Sequence, residues 1–256
     1  MTKFLFLFKS YVKHLLRFIF ALISSGNDCI VCGNKTYVYP VCKKCINQRF
    51  DIKKLLSVRR CSICGKEILT ESDTCLKCKE TPVIKSLNKV VPILSYRLWN
   101  RNLLFLWKIL SIRSLSGLLA KFMSRALNEL EIKYIIPVPP RPGKIAENGW
   151  DQIDELCKYL EYKYGFTVLH LLERRNVIQQ KKLDRQNRLK TIGSSYVLVS
   201  EEKLKKEIKK IKGEFPLVFA LIDDVSTTGA TLESCAQSLK QLNLGEVVGV
   251  TIFNVD

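Results

Sequence analysis

Apolar and polar positions alternate along this chain with two different periods, and the change of period marks its elements. Over the first 25 residues, MTKFLFLFKSYVKHLLRFIFALISS, aromatic and aliphatic side chains recur every three to four positions between Lys9, Lys13, His14 and Arg17. That spacing predicts a basic amphipathic helix. The cations interrupt each apolar stretch before it is long enough to span a bilayer, so neither a transmembrane segment nor a cleaved export signal is expected. Such a helix can lie on a membrane or dock against the protein's own core, and docking is the expectation.

Further along, residues 90–98 read as a strand and 101–130 as helical, with Lys108 and a small-residue turn near Gly117. Lys133 to Val138, KYIIPV, is a β-branched run stopped by Pro139 and Pro140. Ile153, Leu156, Cys157 and Leu160 share one helix face that ends at Gly165, and FTVLHLL follows as a strand. Residues 173–196 are rich in Arg, Lys and Gln and predict a loop, and 201–214 a charge-rich helix with no assigned chemistry. The strand PLVFALI, a helix from Thr231 to Leu242, a turn at 243–245 and the strand EVVGVTIF close the chain. Strand and helix alternate as a parallel α/β sheet requires.

With 256 residues and 47% hydrophobic content, the chain can bury one substantial core and carry a small appendage. Forty-two Lys and Arg against 24 Asp and Glu leave a net charge of +18, which favours polyanions without choosing among nucleic acid, anionic membrane and phosphorylated small molecules. Eight of the ten cysteines form four CxxC pairs, Cys29/Cys32, Cys42/Cys45, Cys61/Cys64 and Cys75/Cys78. Without an export signal, this pattern points to metal and a cytoplasmic location rather than to disulfides.

Gly33 and Gly65 follow the first pair of each set, giving an internal repeat of about 32 residues. Two Cys₄ zinc sites are the simplest count, structural because four thiolates leave no open coordination position. Spacing permits sequential pairing (29/32/42/45 and 61/64/75/78) and also an interleaved one. Lys43, Lys44, Arg49, Lys53, Lys54, Arg59 and Arg60 suit nucleic-acid or protein binding, or a solvated basic face. Cys157 and Cys235 fall on helical patterns as core residues.

The densest chemistry lies at 219–232, FALIDDVSTTGATL. An apolar strand ends in Asp223 and Asp224, whose carboxylates can accept hydrogen bonds from vicinal ribose hydroxyls and attract Mg²⁺. Val225, Ser226, Thr227, Thr228, Gly229, Ala230 and Thr231 then offer backbone amides, hydroxyls and a helix N-terminus to a phosphate. An Asp-rich turn with a capped helix is the plainer alternative.

This segment resembles the phosphoribosyl pyrophosphate motif of type I phosphoribosyltransferases. Together with the CxxC pairs, the Lys-bearing helix, VPP, the GWDQ helix start and the Gln/Arg-rich loop, residues 27–256 are similar to the ComF family of competence-associated proteins. The resemblance implies a type I phosphoribosyltransferase fold with an N-terminal double zinc ribbon, divided as 1–26 basic helix, 27–82 ribbons and 83–256 phosphoribosyltransferase-like domain. It implies binding of phosphoribosyl pyrophosphate with Mg²⁺, with Asp223 and Asp224 on ribose and metal and residues 225–231 on the 5′-phosphate. The pyrophosphate would lie on the turn Val138, Pro139, Pro140, Arg141 to Lys144.

A loop carrying Arg174, Arg175, Lys181, Lys182, Arg185 and Arg188 would close over the site. The family link adds DNA uptake, a DNA helicase partner and, as the alternative function, a non-catalytic accessory factor that binds single-stranded DNA. The chain departs from the family at Asn148–Gln152, NGWDQ against RGFNQ, and at Arg188–Thr191 against Arg-x-x-Asn. Without an arginine at 148, ligand binding without pentosyl transfer stands beside transferase activity.

Overall fold

The computed structural model describes residues 2–23, 27–96, 99–175, 195–212 and 217–255. Helix α1 (Lys3–Ile23) leads into the first ribbon, formed by the short strands β1 (Asn27–Asp28) and β2 (Lys35–Thr36), α2 (Lys43–Arg49) and α3 (Ile52–Leu56). The second ribbon carries α4 (Leu76–Glu80). Then follow β3 (Lys89–Ser95), α5 (Trp99–Lys108), α6 (Ser114–Glu129), β4 (Tyr134–Pro137), α7 (Lys144–Asn148), α8 (Gln152–Tyr164) and β5 (Thr167–Val168). The chain continues through β6 (Leu172–Arg174), β7 (Tyr196–Leu198), α9 (Glu201–Ile208), β8 (Leu217–Ser226), α10 (Ala230–Lys240) and β9 (Gly245–Asn254).

Five strands form one parallel sheet in the order β3-β9-β8-β4-β5, with helices on both faces. This is the α/β architecture expected of a type I phosphoribosyltransferase fold. Strand β8 is central because FALI is apolar on both faces, as a strand covered on two sides must be. Ala220 and Ile222 join the core beneath α6 and α8, while Phe219 and Leu221 join the one beneath α10. Strand pairing carries the site's parts to the same edge: Pro137 sits opposite Ile222, and Asp223 opposite Thr251.

The helical segment expected over 101–130 with a turn near Gly117 is two helices, α5 and α6; the break falls earlier, at Ser111 with φ 52°, and Gly117 lies inside α6. The strand expected from FTVLHLL is shorter, because only Thr167 and Val168 pair with β4 before the chain leaves the sheet. Leu172–Arg174 then pairs antiparallel with Tyr196–Leu198, closing the base of the polar loop. Lys181, Lys182, Arg185 and Arg188 lie outside the described residues. Cys157 and Cys235 are buried, as expected of core positions.

Helix α1 docks, but by one face. Phe6 is buried edge-on against Tyr159 at 4.9 Å and Tyr162 at 5.5 Å, and the Ser10 and Tyr159 hydroxyls are 2.7 Å apart. Among the described residues, no helix is long and apolar enough to cross a membrane.

Candidate functional site

The carboxyl edge of β8 gathers most of the residues singled out from the sequence. The Val138 N–H donates to the Ile222 carbonyl at 2.9 Å, so the turn Val138–Arg141 leaves the sheet directly beside Asp223 and Asp224. Strand β8 runs on through Val225 and Ser226, residues 227–229 turn away from it, and α10 starts at Ala230. Gly229 makes that bend at φ 80°, where a Cβ would also stand 2.7 Å from Ile84 Cδ1. Only glycine avoids both the left-handed strain and the clash. Thr227, Thr228 and Ala230 are exposed, Ser226 is buried and Thr231 is half-buried.

The two aspartates have different surroundings. Asp224 is buried and ion-paired to Lys108 Nζ at 2.5 Å, which gives the lysine of α5 a partner that sequence spacing alone could not name. Asp223 accepts the Asp224 N–H at 2.8 Å. Burial and then the neighbouring Asp224 charge push its carboxyl up to about 8, with the Asp224 N–H and Lys108 opposing. Thr251, in register with Asp223 on β9, is buried with its hydroxyl unpartnered. It was missed in the sequence because only the parallel register brings it to the acids.

The turn after β4 meets its expected position but not every expected contact. Pro139 and Pro140 are half-buried and Arg141 is exposed, with its guanidinium ion-paired to Glu147. Lys144, expected as a charge partner for pyrophosphate, is already engaged. Its Nζ donates to Asp151 Oδ2 and Gln152 Oε1, each at 2.6 Å. Asp151 also caps α8, accepting from Ile153 N at 2.9 Å and Asp154 N at 3.0 Å. The GWDQ segment is therefore a helix start locked to the turn, and an Asp serves as the N-cap as well as an Asn would. Asn148 is exposed. On the other side of the edge, Arg174 stacks over Tyr196 at 5.4 Å, and the Arg175 N–H donates to Ser195.

The eight paired cysteines form two groups, Cys29/Cys32/Cys42/Cys45 and Cys61/Cys64/Cys75/Cys78, each with ligand atoms within 4.8 Å of one another. The pairing is sequential. Cys32 and Cys42 Sγ are 3.7 Å apart, and Cys64 and Cys75 Sγ 3.8 Å. The edge of a tetrahedron of sulfurs around zinc is about 3.8 Å for a Zn–S bond of about 2.3 Å, so both groups fit the ion. Backbone amides already face the sulfurs: Cys42 N donates to Cys29 Sγ at 3.2 Å and Cys75 N to Cys61 Sγ at 3.4 Å. Burial raises the Cys29 and Cys61 thiols, but donors including those amides outweigh it and bring both down to about 7. Each group thus has one thiol whose ionisation the backbone favours, while burial raises Cys45, Cys64 and Cys78.

The second group has a neighbour that the repeat did not foretell. A cavity of about 550 Å³ lies between this ribbon and the Thr/Gly loop, with Ile68, Leu69, Val83 and Ile84 on one side and Ser226, Thr227 and Thr228 on the other. Asn254, the last residue of β9, and Val255 complete it. Asp223, Asp224 and the turn at 138–141 do not line it, so the cavity adjoins the hydroxyl loop rather than the acids. No sequence signal marked this arrangement, because it depends on where the ribbon lands on the sheet.

No protein-family model matches the chain. It is similar to Competence protein ComFC of Streptococcus pneumoniae (strain ATCC BAA-255 / R6), at 27% identity over 128 residues, 50% of this chain and 51% of that protein. The chain thus spans about half the length of the curated relative that it matches. This similarity and the two four-cysteine groups bear out the resemblance read from the motifs: over half of its length the chain is similar to a ComF-type competence protein.

Proposed function

We propose that this is a ComF-type protein that binds phosphoribosyl pyrophosphate with Mg²⁺ at the carboxyl edge of β8, in the cytoplasm and in the service of DNA uptake. The observation that carries the reading is the convergence, at one strand end, of two mutually interacting carboxylates, a hydroxyl-rich loop opening a helix, and the turn after β4. Asp223 and Asp224 accept from the ribose hydroxyls, and residues 225–231 donate amides and hydroxyls to the 5′-phosphate. The turn Val138, Pro139, Pro140 and Arg141 faces the pyrophosphate.

Two crowded carboxyls, one of them held protonated by its surroundings, are hard oxygen donors that a divalent cation would relieve, so the pair fits Mg²⁺. When bound, Mg²⁺ would neutralise charge on the pyrophosphate. If transfer occurs, a nucleophile attacks ribose C1 as the C1–pyrophosphate bond breaks, and the chain's own contribution is positioning and charge stabilisation. Residues 1–26 are the basic amphipathic helix segment, 27–82 hold zinc, and 83–256 carry the sugar-phosphate site.

Isothermal titration with phosphoribosyl pyrophosphate and MgCl₂ tests the reading. Saturable heat that falls at least tenfold in affinity in Asp223→Asn/Asp224→Asn is the expected result, roughly the loss of two charged hydrogen-bond acceptors. No heat, or the same heat from the double variant, contradicts it.

A second reading is favoured by the exposed Lys43, Lys44, Arg49, Lys53 and Lys54 around α2 and α3: a non-catalytic accessory factor for single-stranded DNA that serves a competence helicase. Oligonucleotide anisotropy should then show affinity falling steeply with salt, and salt-independent or absent binding removes this reading.

A further inference from the structure

We propose that α1 is a membrane-surface anchor that lays this protein flat on an anionic bilayer. Phe4, Phe8, Tyr11, Leu15, Ile19 and Ile23 fall within an arc of about 120° on an ideal helix. All six are exposed, with Phe4 at 78%, Tyr11 at 66% and Ile23 at 77%. The opposite face is occupied by Phe6 against Tyr159 and Tyr162 and by Ser10 against the Tyr159 hydroxyl, so α1 is fixed to the body with its apolar arc outward. A soluble monomer rarely leaves so long an apolar strip in water, and such strips mark membrane or partner contacts.

Charge and composition decide between those occupants. Lys3, Lys9, Lys13 and Arg17 are the only charged residues of α1, the first acidic residue of the chain is Asp28, and the whole chain carries +18. An anionic surface therefore meets no acidic residue on this helix, and Lys9, about 40° beyond the edge of the arc, can extend its stem toward headgroups, while Lys13 lies on the docked side with Arg113 and Glu155. The arc is aromatic as well as aliphatic, as suits the interface between headgroups and acyl chains, where a helical protein partner would favour a Leu/Ile seam. The cations also rule out a span: no described helix is long and apolar enough to cross. The helix should lie in the interface plane, its docked face holding the sugar-phosphate domain against the headgroups.

Vesicle flotation of the full chain, paired with sedimentation velocity without lipid, tests the proposal. Phosphatidylglycerol-containing vesicles should carry the protein, phosphatidylcholine vesicles should carry roughly tenfold less, and salt should weaken the binding. Phe4→Glu/Phe8→Glu should abolish flotation without lowering the melting temperature, since both rings face water. Amide exchange should slow in α1 on addition of anionic vesicles. Failure to float at low salt, equal flotation of the variant, equal binding to both lipids, or a dimer in sedimentation that the same substitutions break would each overturn it. The last outcome would assign the strip to a second copy of the chain.

Discussion

The two ribbons share the CxxCG and CxxC pattern and differ in what surrounds them. Each places a CxxCG turn and a second CxxC within 4.8 Å, and each has a backbone amide on its first sulfur. The first is sunk into the main core: Cys29, Val31, Val41, Ile46, Phe50 and Ile52 join the cluster of α6 and α8, with Phe50 stacked on Phe122 at 5.0 Å. The second sits at the rim. Gly65 presses on β3, where a Cβ would lie 2.3 Å from the Val90 carbonyl oxygen, and Leu69 and Leu76 remain exposed beside the cavity at the Thr/Gly loop. A metal knuckle is thus a local device whose consequences are set by its address. The same set of four cysteines is built into the core in one place and stands beside a cavity wall in the other.

Removing the metals one at a time should expose that difference most strongly. Structural zinc supplies on the order of 10 kcal/mol to an isolated finger. Cys29→Ser should lose one of two ions per chain and destabilise the whole protein by several kcal/mol, a fall in melting temperature of about 10 °C or more. Cys61→Ser should also lose one ion but melt closer to the parent, while weakening sugar-phosphate binding. Metal analysis with differential scanning fluorimetry reads both, and equal melting shifts would break the contrast. Next in size, Phe50→Ala should cost about 3–5 kcal/mol in chemical denaturation, as buried aromatics do. Leu76→Ala, exposed at 77% on the second ribbon, should stay within about 0.5 kcal/mol.

A further contrast concerns pH. Because the folded Asp223 carboxyl is raised to about 8 from an ordinary 3.8, the folded state holds a proton that the unfolded state has released. Its contribution is therefore present below about pH 4 and declines as pH rises toward 8. Asp223→Asn should flatten that part of the stability profile, and a parallel profile for the variant would show the acid to be unperturbed. By the same linkage, Mg²⁺-dependent ligand binding should release a proton near neutrality, visible as a buffer-dependent heat.

Much of this architecture was legible from local signals. The unbroken apolar run FALI, the period of 3.6 in Ile153, Leu156, Cys157 and Leu160, and the CxxC spacing each fix an element within a few residues, and they matched. What escaped depends on contacts distant in sequence. Lys108 was visible as a cation on a helix, but its partner Asp224 is 116 positions away and is supplied by the packing of α5 over the sheet edge. Lys144 looked free for phosphate until Asp151, needed as the α8 cap, drew it in. The cavity wall from the second ribbon, and Thr251 beside Asp223, follow from strand order and ribbon placement, which no short motif records. Helix α1 was read as docking because amphipathic periodicity shows that a face is apolar without showing how much of it finds a partner.

Amide chemical shifts of the ¹⁵N-labelled protein, followed as phosphoribosyl pyrophosphate and Mg²⁺ are added, decide whether the carboxyl edge of β8 is the binding site. The largest shifts should fall at 223–231 and at Val138 and Arg141, saturating together and absent in Asp223→Asn/Asp224→Asn. Saturable shifts confined to the ribbons or to α2 and α3, with 223–231 unmoved, would contradict it.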